Sequence, residues 1–189
     1  MALIVGLGNP GPAYRWTRHN TGALVVQALA AQAGIRIAGR VGPARVGEGR
    51  IGRRAVVLAV PTTFMNLSGE AVAVLLRRWP VPPAGVLIVC DDVALPFGTL
   101  RLRASGSDGG HHGLQSVAAA VGSAAFPRLR VGIGSPEQPG ALERFVLDRW
   151  TRAERAQLST VIETAAAACA LWVREGLAAA MNHYNRKVC

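Results

Sequence analysis

Lysine is almost missing from this chain. Of 21 basic residues, only Lys187 is not an arginine. Acids are scarce as well, 11 against 21 cations, which leaves a net charge of +10 and a sequence pI near 11.3. A coding bias that turns lysines into arginines explains the first imbalance but not the second. Guanidinium groups bind phosphate through two planar hydrogen bonds, so the charge favours a polyanionic partner such as nucleic acid over a merely solvated surface. Cysteine is also rare: Cys90, Cys169 and Cys189 are odd in number and include no CxxC pair. That excludes a disulfide framework and fits a reducing compartment. The four histidines are too scattered to add a zinc site. No apolar run reads as long enough to span a bilayer, and Met1 to Gly6 lacks the basic segment and apolar run of a signal peptide. A cytoplasmic protein is the expectation. No P-loop is present and no serine sits in a nucleophile elbow, so neither covalent catalysis nor a nucleotide cofactor is suggested. Water is the nucleophile that remains.

What is present is a core. Half of the 189 residues are hydrophobic and the mean hydropathy is +0.26, enough to fold one domain. Leu3-Ile4-Val5, running into Gly6-Leu7-Gly8-Asn9-Pro10-Gly11, predicts a buried strand and a tight turn. Helical spacing follows over Gly22 to Ala33, closed by Gly34. Strands are predicted at Ala44–Glu48, Arg53–Val60, Val86–Cys90, Thr99–Arg103 and Leu129–Gly134. Helices are predicted from Ser68, as a cap, to about Trp79, and from the Ala104–Gly113 loop to about Val121. One mostly continuous helical segment is predicted over about 148–183, and a mobile, lid-like loop over 135–145. Strands alternating with helices predict an α/β fold, a single domain with a mixed central sheet flanked by helices.

Polar residues gather where the predicted strands end, the usual place for a site in an α/β sheet. His19, set between Arg18 and Asn20 after the glycine turn, is the candidate general base, because an imidazole exchanges protons near neutral pH. Asp91 could orient it, although beside Asp92 and the Pro96-Phe97-Gly98 turn it reads more simply as a turn acid. Asn9 and Asn66 carry amides that could bind a carbonyl or its oxyanion; Asn9 before Pro10 equally suits a turn. Met65 reads as core or as an apolar platform. His111 and His112, in a glycine-rich loop, read as a weak metal pair, a phosphate-cradling loop at a helix N-terminus, or incidental loop residues. Arg101 and Arg103, and likewise Arg128 and Arg130, alternate along strands as a phosphate clamp or a solvated edge.

Taken in order, these segments resemble bacterial-type peptidyl-tRNA hydrolases over nearly the whole chain. The resemblance rests on Leu3 to Gly11, Tyr14, Thr17-Arg18-His19-Asn20, Pro61 to Gly69, and Asp91 ahead of Leu95-Pro96-Phe97-Gly98. It continues through Gly109-Gly110-His111-His112-Gly113-Leu114, Arg128 to Gly134 and the tail from Trp172 to Asn182. It implies a peptidyl-tRNA hydrolase-like (phosphorylase/hydrolase-like) fold and a monomeric esterase that frees tRNA from peptidyl-tRNA without metal or cofactor. It implies His19 as base and Asp91 as its partner. Asn9, Tyr14, Met65, Asn66, His111 and His112 would lie along the peptide-ester end, and Arg103 and Arg130 would hold the tRNA phosphate. The family usually has Asn where this chain has His112, and an acid where it has Ala94. A scaffold that binds RNA without hydrolysis, and a small-substrate esterase, are the other readings; intact His19, Asp91, Asn9 and Asn66 oppose the first and the charge opposes the second.

Overall fold

A computed structural model of the chain describes residues 1–136, 138 and 140–189. Seven strands form one mixed sheet: β1 (Ala2–Gly6), β2 (Gly39–Val41), β3 (Ala44–Ile51), β4 (Arg54–Pro61), β5 (Val86–Asp92), β6 (Leu100–Arg103) and β7 (Arg128–Gly132), in the order β2-β3-β4-β1-β5-β7-β6. The central four, β4, β1, β5 and β7, are parallel, and β2, β3 and β6 pair antiparallel at the two edges. Among the described residues, six helices cover it: α1 (Thr21–Ala33), α2 (Ser68–Arg78), α3 (His112–Val121), α4 (Leu142–Leu147), α5 (Arg152–Glu175) and α6 (Leu177–Tyr184).

The apolar runs seen in the sequence are strands buried on both faces. Along β1, Ile4 joins Val25 and Leu29 of α1 and Val161 and Cys169 of α5 on one side. Leu3 and Val5 face Val72 and Leu75 of α2 and Leu114 and Val117 of α3 on the other. The expected α/β mixed sheet is therefore the observed one. Gly34 ends α1 in the left-handed conformation, as its position suggested. The contact that matters for function is α1 against β1: a Cβ at Gly6 or Gly22 would collide with backbone of Gly22 or of Val89. Only glycine lets the helix start this close to the strand ends, and that seats His19, two residues earlier in the chain than Thr21, at the carboxyl edge of the sheet.

Several boundaries differ from expectation. Ser68 is not a cap; it is the first residue of α2, and its hydroxyl donates to the Met65 carbonyl (2.7 Å) of the 3-10 turn before it. The last predicted strand is Arg128–Gly132, two residues shorter at its C-terminal end. The C-terminal segment is two helices, because Gly176 breaks the ladder between α5 and α6. The lid-like loop at 135–145 falls in part on Glu137 and Pro139, which lie outside the described residues; its later part is helical, in α4. Contrary to the sequence reading, α5 is long and apolar enough, by length and composition, to cross a membrane; half of that apolar window is buried in the fold, where Leu158, Ile162, Ala165, Cys169 and Trp172 form the stripe that the spacing predicted.

Candidate active site

The site forms where β1, β4 and β5 end. Asn9 leaves β1 through the glycine turn and is clamped by Asn20: the Asn9 N–H donates to Asn20 Oδ1 (2.8 Å) and Asn20 Nδ2 donates to the Asn9 carbonyl (2.9 Å). Asn9 Oδ1 accepts the backbone N–H of Met65 (2.8 Å). Because a backbone N–H can only donate, this bond fixes the amide and leaves Asn9 Nδ2 as a donor. The Gly6, Gly8, Gly11 spacing coincides with the dinucleotide fingerprint, but α1 begins only at Thr21, well after Gly11 and not directly from the glycine turn, and its first turn is packed onto Gly6 and Gly8 themselves.

Asp91, at the end of β5, is 2 % exposed and receives two imidazoles. His19 Nδ1 lies 2.9 and 3.0 Å from its two oxygens, and His111 Nε2 lies 3.0 Å from Oδ1. The rings are 5.0 Å apart, centre to centre. His111 caps α3: its Nδ1 accepts the N–H groups of Gly113 and Leu114. That nitrogen therefore acts as an acceptor, and Nε2–H donates to Asp91. His19 Nδ1–H is the second donor, which leaves His19 Nε2 without a protein partner among the described residues. Burial pushes the Asp91 carboxyl upward, but adjacent His111 and His19, which donate to it, outweigh burial and hold it well below the usual carboxylate range.

A cleft of about 470 Å³ opens over this triplet. Tyr14, Met65, Asn66 and His112 line it, as do Asn9, His19, Asp91 and His111. Tyr14 and Phe64 stack edge-to-face with centroids 6.2 Å apart. Asn66 is exposed in the 3-10 turn before α2, and His112 is exposed as the first residue of α3. Leu142, Glu143, Val146 and Leu147 close one wall. A larger groove, of about 710 Å³, also includes Asn9 in its lining, and among the described residues that lining has no histidine and no carboxylate.

His19, Asp91 and His111 are close enough to hold a metal ion. The hydrogen bonds argue for protons there instead. Ligation through His111 Nε2 would move its proton to Nδ1, against the two N–H groups of the α3 cap.

The arginines sort differently from expectation. Arg101 and Arg103 do share the exposed face of β6, opposite Arg130 and Arg128. Arg128 is no clamp, however. It is 1 % exposed and donates to the carbonyls of Gly106, Ser107, Ala124 and Phe126. Burial, then the neighbouring Arg130, lowers its pKa. Arg130 reaches the cleft rim, paired with Asp92 (3.0 Å) and bonded to the Ser107 carbonyl. Sequence reasoning missed the attachment of His111 to Asp91 and the Asn20 clamp. The signals were there, a histidine at a helix start and an asparagine beside the base, but neither names its partner.

A profile of the peptidyl-tRNA hydrolase family matches residues 3–189. The chain belongs to the peptidyl-tRNA hydrolase family. It is 49 % identical over 185 residues to a peptidyl-tRNA hydrolase of Desulforudis audaxviator, covering 98 % of this chain and 93 % of that one. It is 48 % identical to that of Roseiflexus castenholzii, with 98 % and 87 % covered. The crystal structure of the Acinetobacter baumannii peptidyl-tRNA hydrolase superposes with a TM-score of 0.93 at 34 % identity, over 100 % of this chain and 97 % of that one. Enzymes of this family release tRNA from peptidyl-tRNA, and this chain is one of them. The fold expected from the resemblance is the fold found.

Proposed function

We propose that hydrolysis proceeds by His19-activated water, carried chiefly by one observation: Asp91 holds Nδ1 of His19, which lines the cleft, and Nε2 has no partner among the described residues. Water bound at Nε2 attacks the ester carbonyl and gives its proton to His19. Asp91, kept anionic by its second donor His111, stabilises the imidazolium and fixes its tautomer. The oxyanion takes hydrogen bonds from the amides of Asn9 and Asn66. Collapse breaks the acyl C–O bond, and the leaving 3′ oxygen of the terminal ribose takes the proton from His19. An activated ester needs no more than a base and an oxyanion site.

Tyr14 and Met65 line the path of the peptide, and exposed His112 supplies a ring donor where the family usually has an amide. The amides of Asn9 and Asn66 suit a peptide carbonyl better than the charged α-amine of a free aminoacyl-tRNA. Arg130, at the cleft rim, and Arg103, on the neighbouring strand β6 opposite Arg128, hold the tRNA phosphate as the acceptor stem and 3′ end enter. The wall helix α4, with the segment before it, serves as the lid. The free thiols Cys90, Cys169 and Cys189 suit a reducing cytoplasm, where the chain acts as a monomer.

The test is release of labelled N-acetyl-aminoacyl groups from tRNA in EDTA. The unmodified enzyme should release them, and His19→Ala should be slower by about 10³-fold while still binding tRNA. Substantial turnover by His19→Ala would remove His19 from the mechanism.

A further inference from the structure

The residue before the base is a buried arginine that holds the cleft's wall. Arg18 is 5 % exposed. Its guanidinium pairs with Glu154 (2.8 Å) and donates to the carbonyls of Phe145 (3.3 Å) and Arg149 (3.1 Å). It lies 4.4 Å from the Phe145 ring centre and 5.4 Å from that of Trp150. The backbones run together as well: Arg18 N–H donates to the Asp148 carbonyl (3.2 Å), and Thr17 bridges Arg149. Glu154 belongs to the capping box that starts α5, its carboxylate also accepting the Thr151 N–H (2.6 Å). One side chain, adjacent in sequence to His19, thus gathers the end of α4, the connector after it and the start of α5.

Two further features mark this hub as unsaturated. Arg18 Nε and Trp150 Nε1 are both buried donors with no hydrogen-bond partner among the described residues. Leu142, on the same α4 and lining the cleft, is 46 % exposed, although it is a large apolar residue facing a binding site. A small movement of α4 over the cleft would cover Leu142 and bring backbone carbonyls from the end of α4 toward the two idle donors.

We infer that Arg18 is a positioning residue for substrate binding: it sets where α4 stands over the cleft relative to His19, and acts on the peptidyl end of the substrate through α4. This rests on the functional reading above. It assigns Arg18 no contact with substrate. A lysine here keeps the charge but cannot span Glu154 and two carbonyls at once.

The experiment is a double-mutant cycle on steady-state hydrolysis of N-blocked peptidyl-tRNA, with Arg18→Lys, Leu142→Ala and the pair. Arg18→Lys should raise KM about tenfold with kcat within about threefold, a coupling of the size seen for residues that act through a mobile element. Leu142→Ala should raise KM about threefold alone and not at all in the Arg18→Lys background. Amide exchange over 142–149 should quicken in Arg18→Lys while the α1 and sheet amides stay protected. Additive effects, or a fall in kcat with KM unchanged, would overturn the inference. If Arg18→Lys does not fold, Glu154→Gln, which keeps Arg18 and the shape of its partner, is put through the same cycle and judged by the same criteria. Trp150→Phe keeps an aromatic ring and removes one idle donor; it should raise KM, and an unchanged KM counts against the closure. An unmodified enzyme without activity would bring down the functional reading and this inference together, whereas an active enzyme with an additive cycle overturns the inference alone.

Discussion

Two buried charges stand at opposite ends of one strand ladder. In the β5–β7 register Arg128 pairs with Ile88 at one end, and Asp91 pairs with Val131 near the other. Both are almost wholly buried, 1 % and 2 % exposed. Arg128 is held by backbone carbonyls, groups that neither titrate nor move without unfolding the loops they belong to. Asp91 is held by two imidazoles, one fixed by the α3 cap and one with its far nitrogen open to a cleft. The lesson is that burial of a charge does not mark function. The partners decide it: fixed acceptors make a strut, and exchangeable donors beside a cleft make a proton site.

The comparison can be broken or sharpened by mutation. Asp91→Asn should lower turnover by about 10²–10⁴-fold, because a neutral amide no longer stabilises the His19 imidazolium and its NH2 group stands where the carboxylate offered a second acceptor, which releases the His19 tautomer. Single-turnover release, with thermal unfolding as the control for folding, measures it. Arg128→Ala should do the reverse. It leaves four carbonyls without their donor, so stability should fall by about 3 kcal/mol in denaturant titration with turnover changed less than about threefold. A tenfold loss of activity in a stable Arg128→Ala would show that the two ends are not separate.

Arg103 and Arg130 test the proposed phosphate contact. Arg103→Ala should weaken tRNA binding about threefold to tenfold and flatten the slope of log affinity against log salt by about 1. Arg130→Ala should cost more, since it also frees Asp92 and the Ser107 carbonyl; equal losses would mean that those ties are idle. The smallest effect is in the acid limb. The folded-state pKa of Asp91 is depressed, so its stabilisation is fully present above the ordinary carboxylate value of about 3.9 and is lost as pH falls toward the lower folded value. Urea titrations from pH 5 down to 2 should show stability falling more steeply below about pH 4 in the unmodified protein than in Asp91→Asn. Arg128→Ala should keep the steep limb.

Much of this was legible beforehand because it rests on short-range chemistry. The apolar runs at Leu3–Val5, Val56–Val60 and Val86–Cys90 could only be strands covered on both faces. The alternation of Leu100 and Leu102 with Arg101 and Arg103 placed those arginines outward. The cluster around His19 marked a site at a strand end. Boundaries failed where a local signal had a tertiary competitor. Ser68 looked like a cap, but the 3-10 turn before it uses its hydroxyl. The helical spacing from 148 onward ran through Gly176, yet the break there lets α6 turn back onto β6. Arg128 and Arg130 have the same spacing from the same strand, and only the packing of the Ala104–Gly113 loop and of the Ala124–Phe126 turn buries one and leaves the other at the rim.

The sequence by itself determined the α/β class, the main alternation of strands and helices and the excess of basic charge, and it singled out His19 as the candidate base. Each of these follows from periodicity, glycine placement or residue chemistry within a few neighbours. Only the tertiary structure decided which partners the polar residues take. Asp91 meets His19 across 72 residues of chain and His111 across 20, and Arg18 meets Glu154 across 136. No local pattern encodes those separations. They are set by the strand order of the sheet and by the close approach of α1 that Gly6 and Gly22 allow.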